Sequence, residues 1–100
     1  MKSLMEIRNE LKQIRYYYVR KIDIDHSFGL TGSSELMNIV NLYNRQMRKA
    51  SFELYDIYSS LYVENHTQES FAEKMGCTVE NIQKKHKKLL LYLQQNIIDN

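Results

Sequence analysis

The sequence predicts a small all-α protein of about five helices that ends in a helix-turn-helix. The chain of 100 residues contains no proline and only three glycines, so little in it fixes φ or removes a backbone donor inside a helix. Apolar residues also recur at intervals of three and four, the spacing of one helix face. Hydrophobic residues make up 43% of the chain and charged residues 26%, which is typical of a single folded domain.

Positive charge is concentrated at the two ends of the chain. The formal net charge is only +2. Residues 1–22 carry +4 and residues 67–100 carry +1, whereas residues 23–66 carry −3. Four lysines surround His86, namely Lys84, Lys85, Lys87 and Lys88. A polyanion would therefore meet the ends of the chain first.

The cysteines, histidines and glycines of the chain give no sign of a metal site, a bound cofactor or enzymatic activity. The single cysteine, Cys77, cannot form an internal disulfide and favours a reducing compartment. The three histidines lie far apart in sequence, and neither metal-ligand spacing nor a glycine-rich phosphate loop is present. Charged residues interrupt any signal-like apolar run at the N-terminus, and residues 89–93 are too short to cross a bilayer. We expect a soluble cytoplasmic protein.

The spacing predicts a first helix from about Ser3 to Ile22. Its inner positions are predicted to be Leu4, Ile7, Leu11, Ile14, Tyr18 and Ile22. The stripe lasts less than three heptads, so packing within the domain is favoured over a dimer seam. Tyr16 and Tyr17 are expected to point elsewhere. With nearby arginines, Arg15 among them, they form either a partner-facing patch or ordinary surface.

Residues 23–34 are predicted to form the one clear loop, and residues 35–63 are predicted to be helical throughout. In the loop, Ser33 or Ser34 can cap the next helix. A break is predicted near Ala50–Ser51, with Ser51 capping a second helix, although one long bent helix is an alternative. The inner face is predicted to contain Met37, Val40, Met47, Leu54, Ile57, Tyr58 and Leu61. The series Tyr55, Tyr58 and Tyr62 is expected to pack in the core with solvated hydroxyls.

Residues 65–93 carry the strongest local signals of the chain. Thr67 is predicted to cap a short helix over residues 68–75, and Gly76 to end it in the left-handed conformation. Thr78 is predicted to cap the next helix. One face of that helix contains Val79, Ile82, His86, Leu89 and Leu93. We expect His86 to be buried and hydrogen-bonded there.

The same segment meets the demands of a helix-turn-helix. A small residue is needed where the two backbones approach, and Ala72 supplies it. Gly76 follows four residues later, in the turn itself. Inner apolar positions around the turn are predicted at Phe71, Met75, Cys77 and Ile82.

This pattern resembles the region-four helix-turn-helix of bacterial sigma factors. It resembles more closely the related domain of small phage late-operon activators of the RinA and ArpU kind. The resemblance covers about residues 52–93, and the shared residues are Tyr62, Thr67, Gln68, Glu69, Phe71, Ala72, Met75, Gly76, Cys77, Thr78, Ile82, His86, Leu90 and Leu93. The chain departs from the family at Ser70, where an acid is usual, and at Lys85, where an apolar residue is usual. The stem of Lys85 can pack while its ammonium reaches solvent or phosphate.

The resemblance implies a phage or prophage transcription regulator that activates late genes. It would bind double-stranded DNA, contact RNA polymerase and act in the cytoplasm of the bacterial host. Residues 51–100 would form the DNA-binding region, and residues 1–50 would serve packing, oligomerisation or partner contacts. A homodimer and a regulatory protein partner are further expectations, since one chain presents a single recognition helix.

If the second helix enters a major groove of DNA, its outward side chains face the bases. A helical wheel centred on Ile82 places the candidate DNA-reading residues on that outward side. Asn81 can bond adenine, Lys84 can reach guanine, and Glu80 can accept from cytosine. Lysines later in the helix suit phosphates, as do residues at the edge of the turn. The candidate DNA-binding residues are Thr67, Gln68, Lys74, Thr78, Glu80, Asn81, Lys84, Lys85, Lys87 and Lys88.

Two other functions fit the same sequence. Small terminase subunits, which package DNA, also combine a helix-turn-helix with helical oligomerisation segments. A protein-interaction module of a mobile element is the other alternative, in which the acidic middle and the tyrosines form the working surface. In that case the lysine cluster would be an ordinary solvated face.

Overall fold

The computed structural model describes residues 2–21 and 35–97, and this part of the chain is all-helical, as predicted. In chain order its elements are α1 (Leu4–Val19), α2 (Glu35–Met47), α3 (Phe52–Tyr58), a π-helical segment (Ser59–Val63), α4 (Gln68–Met75) and α5 (Val79–Asn96). The described residues contain no strand. The loop predicted over residues 23–34, with its candidate caps Ser33 and Ser34, lies outside the described residues.

Helix α1 begins at a capping box and buries one stripe. The Ser3 hydroxyl accepts a hydrogen bond from the Glu6 backbone N–H at 3.1 Å, and the Glu6 carboxylate accepts one from the Ser3 N–H at 3.3 Å. This reciprocal pair satisfies two of the N–H groups that a helix start leaves unpaired. The buried residues are Ile7, Leu11, Ile14 and Tyr17.

The prediction that Tyr18 continues this stripe while Tyr17 points elsewhere was wrong. Tyr17 is 4% exposed, whereas Tyr18 is only half-buried. Residues three and four positions after Ile14 both lie near its helix face. Tertiary contacts therefore decide which of the two tyrosines is buried. Tyr16 is exposed as predicted, and the Arg20 guanidinium lies 5.9 Å from its ring centroid.

The predicted break between the second and third described helices is confirmed. Helix α2 ends at Met47, and the Ser51 hydroxyl caps α3 by accepting a hydrogen bond from the Leu54 N–H at 3.3 Å. The alternative of one long bent helix was wrong, because this cap begins a new helix. Of the predicted inner face, Met37 and Leu54 are half-buried, and the buried members are Val40, Met47, Ile57, Tyr58 and Leu61.

The core contains hydroxyl groups that are paired with protein atoms rather than with solvent. The Tyr58 hydroxyl donates to Asn44 Oδ1 at 2.7 Å, and Asn44 Nδ2 donates to the Tyr18 hydroxyl at 2.9 Å. Burial raises the pKa of Tyr58, so the phenol keeps the proton it donates. Tyr55 was expected in the core but is 46% exposed.

Two further tyrosines join helices that are distant in sequence. Tyr43, a buried residue that the sequence interpretation missed, donates from its hydroxyl to Glu10 Oε1 at 2.7 Å. Tyr92 of α5 donates to the Gln46 carbonyl of α2 at 3.0 Å. A buried phenol is tolerated when its hydroxyl has a partner, so these pairs fix how α2 sits against α1 and α5.

One hydrophobic core joins residues from both halves of the chain. Helix α1 contacts the π-helical segment, α2 and α5, and α5 also contacts α3 and α4. Buried side chains from all of these elements form a single cluster. The division of roles between residues 1–50 and residues 51–100 stays a prediction.

Truncation of Leu11 should destabilise the whole domain. Leu11 is 0% exposed in the middle of α1, so Leu11→Ala removes buried methyl groups and leaves a cavity. We expect the free energy of unfolding to fall by about 2–5 kcal/mol in urea titrations. Lys12→Ala, at the exposed neighbouring position, should change it by less than about 0.5 kcal/mol. Equal effects of the two variants would contradict the structure.

Candidate nucleic-acid interface

Helix α4 begins at the predicted cap, Thr67. Its capping box uses Ser70, the position where the resembled proteins usually have an acid. The Thr67 hydroxyl accepts from the Ser70 backbone N–H, and the Ser70 hydroxyl accepts from the Thr67 N–H, both at 3.0 Å. An acid usually supplies the second of these bonds in a capping box. Ser70 provides the same acceptor, so the start of α4 is satisfied without the carboxylate.

The turn between α4 and α5 is closed by backbone hydrogen bonds. Gly76 has φ 68° and ψ 34°, the left-handed conformation predicted for it. The Gly76 N–H donates to the Glu73 carbonyl at 3.2 Å, and the Cys77 N–H donates to the Ala72 carbonyl at 3.0 Å. These two bonds form a Schellman motif. Thr78 then caps α5 as predicted, accepting from the Asn81 N–H at 3.2 Å.

The inner side of this helix pair lies on the common core. Phe71 and Ala72 of α4 are buried, and so are Ile82, Leu89, Leu90 and Leu93 of α5. Cys77 and Val79 are half-buried at the turn. The prediction that Met75 occupies an inner position was wrong, since Met75 is 47% exposed. It is the last residue of α4, where the short helix reaches the surface.

The outer side of the pair presents most of the candidate DNA-binding residues together. Gln68 and Lys85 are half-buried. The exposed candidates are Thr67, Lys74, Thr78, Glu80, Asn81, Lys84, Lys87 and Lys88. Within the described part of the chain, no carboxylate lies within ion-pair distance of Lys84, Lys87 or Lys88. Their charges are therefore available to an anion.

His86 forms a hydrogen bond, as expected, but it is half-buried rather than buried. The Tyr62 hydroxyl bonds His86 Nε2, and the two rings stack with centroids 5.9 Å apart. Burial raises the pKa of Tyr62 to about 12, so the phenol is the donor. Burial, and then the positive charge of Arg8, lower the pKa of His86, so the imidazole is neutral and accepts. This bond ties α5 to the π-helical segment.

Arg15 holds the loop that precedes α4, a role that sequence interpretation did not assign to it. Its Nε donates to Asn65 Oδ1 at 2.9 Å, and its Nη2 donates to the His66 carbonyl at 3.0 Å. Asn65 has φ 69°, and asparagine is among the few residues other than glycine that adopt this conformation readily. Arg15 thus connects α1 to the entrance of the helix pair.

Comparisons with protein-family models, with curated proteins and with solved structures found no match. The resemblance to phage activators therefore depends on the sequence of about residues 52–93 alone. Among the described residues, no three His, Cys, Asp or Glu side chains are grouped so as to hold a metal ion. No helix in this part of the chain has both the length and the apolar character needed to cross a membrane.

Replacement of Gly76 should separate backbone strain from side-chain packing. A Cβ at this position would meet no atom within 4 Å, so Gly76→Ala should lose stability only through its left-handed backbone, by about 1 kcal/mol. Gly76→Asn should lose less, because asparagine tolerates this conformation. Urea unfolding of the two variants measures the difference. A larger loss for Asn than for Ala would contradict the assigned turn.

Acidification should weaken the fold through His86. Its pKa is lowered in the folded protein, so the unfolded chain takes up the proton first as the pH falls below about 6.5. The stability that the neutral ring contributes is fully present above that pH and is lost as the pH falls toward the folded pKa. We expect urea unfolding at pH 7.5 and pH 5.5 to show a smaller pH dependence for His86→Gln. Identical pH dependence in the variant and the parent would contradict this assignment.

Proposed function

We propose that this protein binds double-stranded DNA through α4 and α5 and regulates transcription, as an activator of late genes in a phage or prophage. The observation that carries the proposal is the outer face of α5. Three lysines there, at positions 84, 87 and 88, are exposed and unpaired with any described carboxylate, while the opposite face is anchored in the core. A rigid helix with one cationic face is suited to a major groove.

Residues in the first half of α5 are placed to read bases, and later residues are placed to contact the DNA backbone. Asn81 and Lys84 lie in the first half of the helix, where a recognition helix meets base edges. An asparagine amide pairs with adenine N6 and N7, and a lysine with guanine O6 or N7. Lys87 and Lys88 follow within one turn and reach phosphates beside that groove. Thr67 and Lys74 contact the backbone from the first helix of the pair.

The helix-turn-helix interpretation is supported by the local geometry of α4 and α5. Two capped helices meet at a Schellman turn on Gly76. Ala72, the small residue that the motif needs, is buried, and so is Ile82 after the turn. These are the features on which the resemblance to sigma region four depends, and together they support the same groove-reading role for α5.

High affinity for DNA requires a contact in addition to α5. Among the described helices only α5 is proposed to read DNA, so high affinity needs either a second copy or RNA polymerase bound beside the promoter. The resemblance to late-operon activators supports a contact with RNA polymerase in the bacterial cytoplasm. Exposed residues of α1, such as Tyr16, are available to that partner.

Charge reversal on α5 tests the proposal. The wild type should bind a labelled DNA duplex with log K falling linearly as log salt rises. Lys84→Glu/Lys88→Glu should weaken binding by about a hundredfold, because each lost contact is worth on the order of 1–3 kcal/mol. Circular dichroism would establish that the variant is folded.

A matched control keeps the change of net charge but moves it away from α5. Arg45→Glu/Lys49→Glu alters two exposed residues with the same spacing of four, and it should bind DNA nearly as the wild type does. No binding by the wild type at low salt would overturn the proposal. Equal losses in the two double variants would show that net charge, rather than the outer face of α5, governs binding.

A further inference from the structure

We infer that a groove between α1 and α5 grips a DNA backbone phosphate between Arg8 and Lys87, which makes α1 part of the DNA interface. The inference rests on the proposed function and extends it to the N-terminal helix. No residue of α1 was among the candidates from the sequence, because the groove joins positions that lie 79 residues apart in the chain.

The groove is built from three helices. It has a volume of about 410 Å³, which is ample for a phosphate group with part of its sugar. Its lining residues are Leu4, Arg8, Gln68, Gln83, His86, Lys87 and Leu90. Side chains of α1 therefore lie across the groove from side chains of α5. Gln68, the first residue of α4, lines the same groove.

The charges that line the groove have one sign. Arg8 and Lys87 are both exposed, and neither has a carboxylate within ion-pair distance among the described residues. Like charges on two sides of one groove repel each other, and an anion between them removes that cost. The third ionisable group of the lining, His86, is neutral because burial and Arg8 lower its pKa. Among the described residues, the lining of the groove therefore carries two fixed cations and no acid.

The donor groups match a phosphodiester. The guanidinium of Arg8 offers a planar pair of N–H donors that can bond both non-bridging oxygens, and Lys87 adds a compact positive charge. Gln68 and Gln83 line the same groove and carry amide donors. The half-buried Leu4 gives it apolar surface against which a deoxyribose can pack.

The position of the groove fits the proposed docking of α5. Lys87 lies one helical turn after Lys84 and lines the groove with α1, whereas Lys84 lies on the face turned away from the core. A phosphate held by Arg8 and Lys87 would therefore flank the DNA major groove in which Asn81 and Lys84 read the bases. Contacts of this kind fix the register of a recognition helix without reading sequence.

Substitution of Arg8 tests the inference on a labelled 30-base-pair duplex. Arg8→Gln should reduce the slope of log K against log salt by about one and weaken binding about tenfold at 0.1 M salt, equally for different sequences. Lys12→Gln makes the same loss of charge on an exposed residue of α1 that does not line the groove, and should keep the wild-type slope. Arg8→Lys should restore most of the slope.

A double-mutant cycle with Lys87→Gln asks whether the two cations share one phosphate. If they do, the second substitution should cost less when the first is already present. A wild-type slope in Arg8→Gln, with Lys84→Glu/Lys88→Glu still defective, would overturn the role of α1 and leave the proposed function standing. Failure of the wild type to bind any duplex would overturn both.

Discussion

The burial of one stripe of α1 is the contact on which the rest of the structure depends. Ile7, Leu11 and Ile14 are wholly excluded from solvent, and their helix contacts the π-helical segment, α2 and α5. The C-terminal helices therefore close their core on a helix from the start of the chain. Arg15 adds a polar bond from the same helix to the loop before α4. The direction in which α5 presents its lysines is thus set by residues more than 60 positions away.

The sequence predicted best those features that a few neighbouring residues decide. The fold class followed from the helix-compatible composition, and the caps Ser51, Thr67 and Thr78 were correct because a side-chain acceptor next to its own helix start needs no tertiary partner. Gly76 was correct for the same reason, since its φ is a local requirement. The predicted exposure of the lysines of α5 was also correct, because most apolar residues of this helix lie on the opposite face.

The errors lie where distant contacts choose between locally equivalent positions. Tyr17 and Tyr18 lie on the two sides of the stripe that runs through Ile14, and the packing of the other helices buries Tyr17. Tyr43 lies at helical spacing from Val40 and Met47, and its hydroxyl donates a hydrogen bond to Glu10 of another helix, a partner that no periodicity reveals. The groove that contains Arg8 was missed because α1 and α5 meet only in three dimensions. The part of the candidate interface that lies on one helix was therefore predictable, and the part shared between helices was not.

The π-helical segment places a constraint on how this chain can change in length. The Glu64 N–H bonds the Ser59 carbonyl five residues earlier, at 2.8 Å, so the segment holds one more residue per turn than an α-helix would need. Deleting a single residue there would restore α-helical winding and rotate everything downstream by about 100°. Tyr62, α4 and α5 would swing together, out of the core that they share with α1. Relatives that keep this architecture should therefore show neither insertions nor deletions in this segment.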